Sequence, residues 1–350
     1  MYWNPLPLPQ VFAVNALLLA NAIATNDIPP GLLYQMMVSG LLIINVFAAG
    51  YLLGGMMLVC LLQRRGKKQP DYNAVAQAAS RCIVPTRLWS WLLIVGPVAL
   101  ANVFFVLYLF SVDSPRLGWI GLMIPIAGLG AMFLYMHRFS WPADPHRRDA
   151  SHAFVGQLAL LCSLIIPVIF LLKISPLPPQ PASLVIQVLE CIPRLFHGLM
   201  MALVLASLIL AGLLGNPEHP LARQLKELTS AQVRQALLRI ALVAMFLQVV
   251  AGPFVLMTLH FKFMGIPMGA FLGISVMLPL LALILLSADV NAAIAANVGR
   301  FLPHVTMLVL LTIVSMSMTR QIYREKATSP DAGVTLTQAN IASNTASAAK

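Results

Sequence analysis

The chain has 350 residues, 59% of them hydrophobic and 9% charged, with a mean hydropathy of +0.86. A water-soluble domain carries about 25% charged residues, so most of this chain must face lipid, which excludes a cytosolic enzyme, a secreted disulfide scaffold and a nucleic-acid-binding protein. The formal charge of +11 then reads as the loop bias that orients a polytopic protein, not as affinity for polyanions.

Residues 1–10 hold three prolines and no basic residue, unlike a signal peptide. The apolar run that follows, 11–24, is too short to cross a hydrocarbon core of roughly 30 Å, which takes about 20 helical residues. Residues 1–34 are therefore expected to form an interfacial or re-entrant segment, with a short tilted span as the alternative. From there the pattern predicts an all-α, polytopic transmembrane helical bundle of about eight spans, at 35–62, 88–112, 117–136, 154–172, 195–214, 240–259, 268–288 and 301–318. Pro97, Pro125, Pro167, Pro253 and Pro279 fall inside spans, where neighbouring helices can satisfy the freed carbonyls. The transmembrane domain is taken as 35–326. The Ala, Ser and Thr-rich remainder, 327–350, reads as a disordered tail. Two four-helix halves, opening at Gln35 and near Glu190, are a further expectation.

Basic residues fall unevenly between these spans. Arg64, Arg65, Lys67, Lys68, Arg81, Arg87, Arg138, Arg147, Arg148, Arg223, Lys226, Arg234, Arg239 and Arg300 occupy one alternate set of connections, while Arg116, Lys173, Arg194 and Lys262 occupy the other. The richer set is placed in the cytoplasm of a bacterial inner membrane, with the start of the first span outside. Arg320, Arg324 and Lys326 at the start of the outer tail run mildly against that assignment.

Ionisable residues at a membrane boundary face a bundle interior or a cavity by default. Glu190, Arg194, His197 and Met201 are spaced by four, three and four, which places them on one helical stripe. His197 is read as an axial ligand of a non-covalent b-type haem, since imidazole nitrogen binds haem iron readily. Arg194 would face a propionate, and Glu190 would accept a proton. The structural alternative is an ordinary Glu190/Arg194 pair beside a His197 that hydrogen-bonds to another helix. His260, at the same outer side, is a candidate partner ligand, with Met257 one turn deeper and Met264 and Met268 nearby. His137, His146, His152, His219 and His304 read as structural or solvated. Asp144, His146 and Asp149 form only a weak metal-binding pattern. Cys60, Cys82, Cys162 and Cys191 make no Cys-x-x-Cys pair, so covalent haem and a thiolate zinc site are not expected. Gly50 with Gly54, and Gly265, Gly269 and Gly273, read as small-residue seams for close helix approach.

The segment Arg194-Leu-Phe-His197-Gly-Leu-Met-Met-Ala resembles the Arg-Phe-x-His helix of membrane proteins related to subunit I of cytochrome bd-type quinol oxidases. The stretch Asn45-Val-Phe-Ala-Ala-Gly-Tyr-Leu-Leu-Gly-Gly is similar to that family's first haem-ligand helix. Val95-Gly-Pro-Val-Ala-Leu-Ala-Asn and Ile124-Pro-Ile-Ala-Gly-Leu-Gly resemble shorter relatives. The resemblance implies a b haem at His197. Asn45 stands where that family carries His, and the Gly-Arg-Gln-Pro-Trp signature is absent, so oxygen reduction is not expected of this chain alone. The expected function is a membrane subunit of a quinol-linked electron-transfer complex, with quinol, membrane lipid and a periplasmic or membrane redox partner as its companions. A non-catalytic membrane scaffold or assembly subunit is the alternative. A small-molecule permease is the other, disfavoured because the spans hold so few ionisable side chains.

Overall fold

A computed structural model describes residues 32–84, 117–142, 144, 146, 150–174, 183–259, 265–292 and 298–328. Eight α-helices run through them: α1 Leu32–Arg65, α2 Asp71–Ile83, α3 Leu117–Phe139, α4 Ala150–Ile169, α5 Leu184–Leu214, α6 Ser230–Met257, α7 Ile266–Val290 and α8 Leu302–Thr328. A π-helical turn, Phe170–Ile174, continues α4 after Pro167, and a 3-10 turn, Pro220–Arg223, precedes α6. All but α2 are long and apolar enough to cross a membrane, so the chain is a multi-pass helical membrane protein. The predicted second span, the N-terminal segment, His260, Met264 and the tail beyond 328 lie outside the described residues.

Helix α5 is the axis. It packs against α1, α2, α4, α6 and α8 and is the most buried of the spans. Leu203, Val204, Leu205, Leu208, Leu210 and Leu214 meet Leu58, Val59 and Leu62 of α1 and Leu237, Leu238 and Ala241 of α6 in one continuous core. The outer faces carry Ile124, Phe246, Ile266, Met277 and Ile284 exposed, as a lipid-facing surface requires. Contact between α1 and α5 depends on a glycine: a Cβ at Gly54 would collide with the Ala202 carbonyl and lie 2.9 Å from the Leu203 nitrogen. Gly50, one turn earlier, is merely in ordinary contact with Leu205 and Ala202, at 3.8–3.9 Å. The expected seam at Gly269 and Gly273 is not present among the described residues, where both face open space.

One end of the bundle is knitted by polar contacts between distant connections. Asp71, 2% exposed at the first turn of α2, accepts hydrogen bonds from the Lys226, Glu227 and Leu228 amides at 2.8–3.2 Å and pairs with His146 at 3.4 Å. His146 Nε2 donates to the Gln224 carbonyl at 3.1 Å. Arg234 reaches the carbonyls of Gly215 at 2.7 Å and Val298 at 3.1 Å, beside Gly299, whose φ of 85° suits a residue without Cβ. Asp289 accepts from the Phe301 amide at 3.0 Å. The connections following α1, α3, α5 and α7 thus share one end, the grouping that the basic residues define. A Thr229/Gln232 capping box starts α6 there, satisfying two otherwise orphaned backbone donors.

Helix α2 covers another part of this end. His137 and His152 stack beneath it with ring centroids 4.1 Å apart, and Trp141 lies 4.1 Å from His152. His137 is wholly buried, its ring nitrogens 3.3 Å from Gln63 Nε2 and 3.4 Å from Ser80 Oγ. These two histidines are packing elements, not solvated loop residues.

Three substitutions test these contacts. Gly54→Ala should lower the thermal unfolding midpoint in detergent, since overpacking costs about 1–3 kcal/mol. Gly50→Ala should leave it unchanged or raise it, since Ala gains about 1 kcal/mol over Gly in a helix. Burial alone would raise the Asp71 pKa, but the three amides and His146 outweigh it and hold the carboxyl below its ordinary range. The folded-state pKa thus lies below the unfolded value of about 3.9, so the stabilisation is complete above that pH and is lost as pH falls through the folded value. Asp71→Asn should cost about 2 kcal/mol near neutrality, from weakened charge-assisted hydrogen bonds, and should flatten the acid limb of a stability-against-pH profile.

Candidate functional site

The predicted stripe exists, and it lies at the end of α5 away from the Asp71 knot. The helix begins at Leu184, eleven residues before the predicted span, and carries Glu190, Arg194, His197 and Met201 through Pro193 without breaking. Arg194 Nη2 stands 3.6 Å from Glu190, one turn back. The same guanidinium donates through Nε to Thr258 Oγ1 at 2.9 Å and through Nη2 to the Thr258 carbonyl at 3.0 Å. Thr258 is the C-cap of α6, so Arg194 supplies donors to a helix C-terminus that needs them.

His197 meets the same helix a few turns deeper. Its Nδ1 lies 3.1 Å from the Gln248 carbonyl, which can only accept, so Nδ1 carries the proton and Nε2 keeps its lone pair. Nε2 faces the Gln248 side-chain amide at 3.5 Å, a distance too long for a strong hydrogen bond. That amide, 2% exposed, also approaches Met201 Sδ at 3.7 Å. Gly198 on α5 and Gly252, one turn after Gln248 on α6, have nothing within 4 Å of where a Cβ would stand. An imidazole held by a backbone carbonyl at one nitrogen and weakly engaged at the other is the tautomer that metal-ligating histidines adopt.

The structure therefore brings Glu190, Arg194, His197 and Met201 together and adds Gln248 and Thr258 from α6. Met257 does not join them: it is 75% exposed at the end of α6. Met268 is buried at the start of α7. Met201 shares the face of His197 one turn on, and its Sδ lies against the same Gln248 amide. Gln248 was readable in principle, being the single amide in the apolar run 240–259, and a polar side chain deep in a span seeks a partner. Its partner could not be named without knowing which helix lies opposite.

No family model matches the chain, and no curated protein does. Among solved structures, a bd oxidase from Geobacillus thermodenitrificans superimposes with a TM-score of 0.61 at 10% identity, over 84% of this chain and 87% of the other. In fold, the chain resembles a bd oxidase. At 10% identity the likeness to that bd oxidase is one of helical architecture, matching the resemblance carried by the segment from Arg194 to Ala202.

The Arg194 contact can be weighed by a double-mutant cycle. Arg194→Gln and Thr258→Val should couple by about 1–2 kcal/mol in unfolding free energy, as expected for charge-assisted hydrogen bonds that are partly buried.

Proposed function

We propose that the chain is the membrane subunit of a quinol-linked electron-transfer complex and holds a non-covalent b-type haem through His197. The observation that carries this reading is the His197 tautomer: Nδ1–H donates to the Gln248 carbonyl, which leaves the Nε2 lone pair for a metal. A haem would supply one-electron redox chemistry at that position. Rotation of the Gln248 side chain away from Nε2 gives up two long contacts, to His197 Nε2 and to Met201 Sδ, and Gly252, one turn along α6, has open space where a Cβ would stand. Arg194 spends Nε and Nη2 on Thr258, and its guanidinium is suited to a carboxylate such as a propionate. Glu190, about a quarter exposed, is placed to accept a proton released by quinol oxidation. His260, one residue beyond the described end of this segment, is the proposed partner ligand. Because the stripe lies opposite the basic end, the positive-inside rule puts it on the outer face of a bacterial inner membrane, where a periplasmic or membrane-bound partner would take the electrons.

A second reading has its own observation. Both ring nitrogens of His197 already face Gln248, as in an interhelical lock, and a scaffold or assembly subunit would need no more. Reduced-minus-oxidised spectra of the purified full chain separate the two. The haem reading expects b-type bands that are lost in His197→Ala and retained in Gln248→Leu. Absence of such bands from the wild-type protein and its complex, or bands unchanged in His197→Ala, would overturn it in favour of the scaffold.

A further inference from the structure

The opposite end of the molecule holds a cleft that the electron-transfer reading does not use. It has a volume of about 390 Å³ and lies between α2, which contributes Gln77 and Arg81, the last turn of α3 with Arg138 and Phe139, the following Trp141, and Gln224 before α6. Two of its walls carry guanidinium groups, and among the described residues no carboxylate comes within ion-pair distance of either Arg81 or Arg138. Arg138 Nε and Trp141 Nε1 are both buried and have no hydrogen-bond partner among the described residues. Arg138 reaches the Ser80 carbonyl through Nη1 only weakly, at 3.5 Å.

These groups have one chemistry in common. Guanidinium and indole N–H groups donate hydrogen bonds and cannot accept them, and a buried donor without an acceptor costs free energy that a bound acceptor would recover. A ligand that satisfies them must be rich in acceptor oxygens and negatively charged. Arg matches the geometry of phosphate oxygens by presenting two N–H groups in parallel. The position is also informative: Phe139, 66% exposed at the end of a membrane-spanning helix, forms an apolar wall beside the charged one. Basic pockets between helix ends at the cytoplasmic boundary suit lipid headgroups.

We propose that this cleft is a phosphate-binding site, occupied by the headgroup of an anionic phospholipid or by a free phosphate, with Arg81 and Arg138 as its charged ligands and Trp141 and Gln77 as neutral donors. The site is independent of His197 and of any haem.

Delipidated full-length protein in neutral detergent provides the test. Phosphatidylglycerol, diacylglycerol with the same acyl chains, and inorganic phosphate are titrated separately. Binding is read by the difference in tryptophan fluorescence between wild type and Trp141→Phe, and by native mass spectrometry of the adducts. Saturable binding of one phosphatidylglycerol per chain with no response to diacylglycerol is expected, weakened at least tenfold in Arg81→Gln. Arg81 is exposed, so the substitution leaves the buried core in place. Arg239→Gln, an equal loss of charge at the same end, should bind as wild type does. Saturation by inorganic phosphate alone would support the site with the free oxyanion as a sufficient ligand; saturation by the lipid alone would support it with the headgroup as the source. The proposal is overturned by no response to either phosphate compound, by an equal response to diacylglycerol, by Arg81→Gln binding as wild type does, or by Arg239→Gln weakening binding as much as Arg81→Gln.

Discussion

The contact between α5 and its neighbours organises everything else, and at its tightest point it is backbone against backbone. In lipid there is no hydrophobic drive for two apolar helices to meet, so association rests on close packing and on polar contacts between helices. Gly54 lets α1 approach the Ala202 carbonyl of α5, and this close approach brings the leucines of 203–214 into register with Leu58, Val59 and Leu62. With α1 seated on one flank, α5 presents its other flank to α6, and the His197–Gln248 and Arg194–Thr258 contacts follow from that pairing.

Polarity is divided along the bundle axis. At the end defined by Asp71, Arg234 and Asp289, side chains bond chiefly to backbone amides and carbonyls of connecting segments, so the charge there is spent on holding loops to helix ends. At the other end the contacts join one span to another, through Arg194 to Thr258 and through His197 to Gln248. The first arrangement is closed and structural. The second links α5 directly to α6 at two levels of the same helix pair.

Much of this was legible in the sequence, for reasons that can be named. Apolar length marked the seven long helices, because a span has no other way to satisfy its backbone in lipid. Spacing alone put Glu190, Arg194, His197 and Met201 on one face. Hydropathy failed where a helix leaves the hydrocarbon: Glu190, Pro193 and Arg194 lowered the average, so α5 was expected to start at 195 when it starts at Leu184. For the same reason α2 was passed over as a charged connection. Its buried residues are mostly small or polar, Ala74, Ala76 and Ala79 beside Asp71, Asn73, Gln77 and Ser80, with Val75 and Ile83 as the larger apolar ones, so the segment does not register as hydrophobic, yet it is the roof that puts His137 and His152 out of water. Gln248 and Thr258 belong to pairings that become defined only once α5 and α6 are laid side by side.

The Asp71 knot has a consequence for synthesis. Its acceptor oxygens are made early and its donors, at 226–228, more than 150 residues later. Domains form from the N-terminus as the chain emerges, so the carboxylate must wait in water through the insertion of several intervening spans before its partners exist. The last of those partners lies two residues ahead of α6, the helix that carries Gln248 and Thr258. Closure of the knot therefore coincides with delivery of the helix that His197 and Arg194 bond to at the opposite end, and an early-made aspartate registers that a late-made span has arrived.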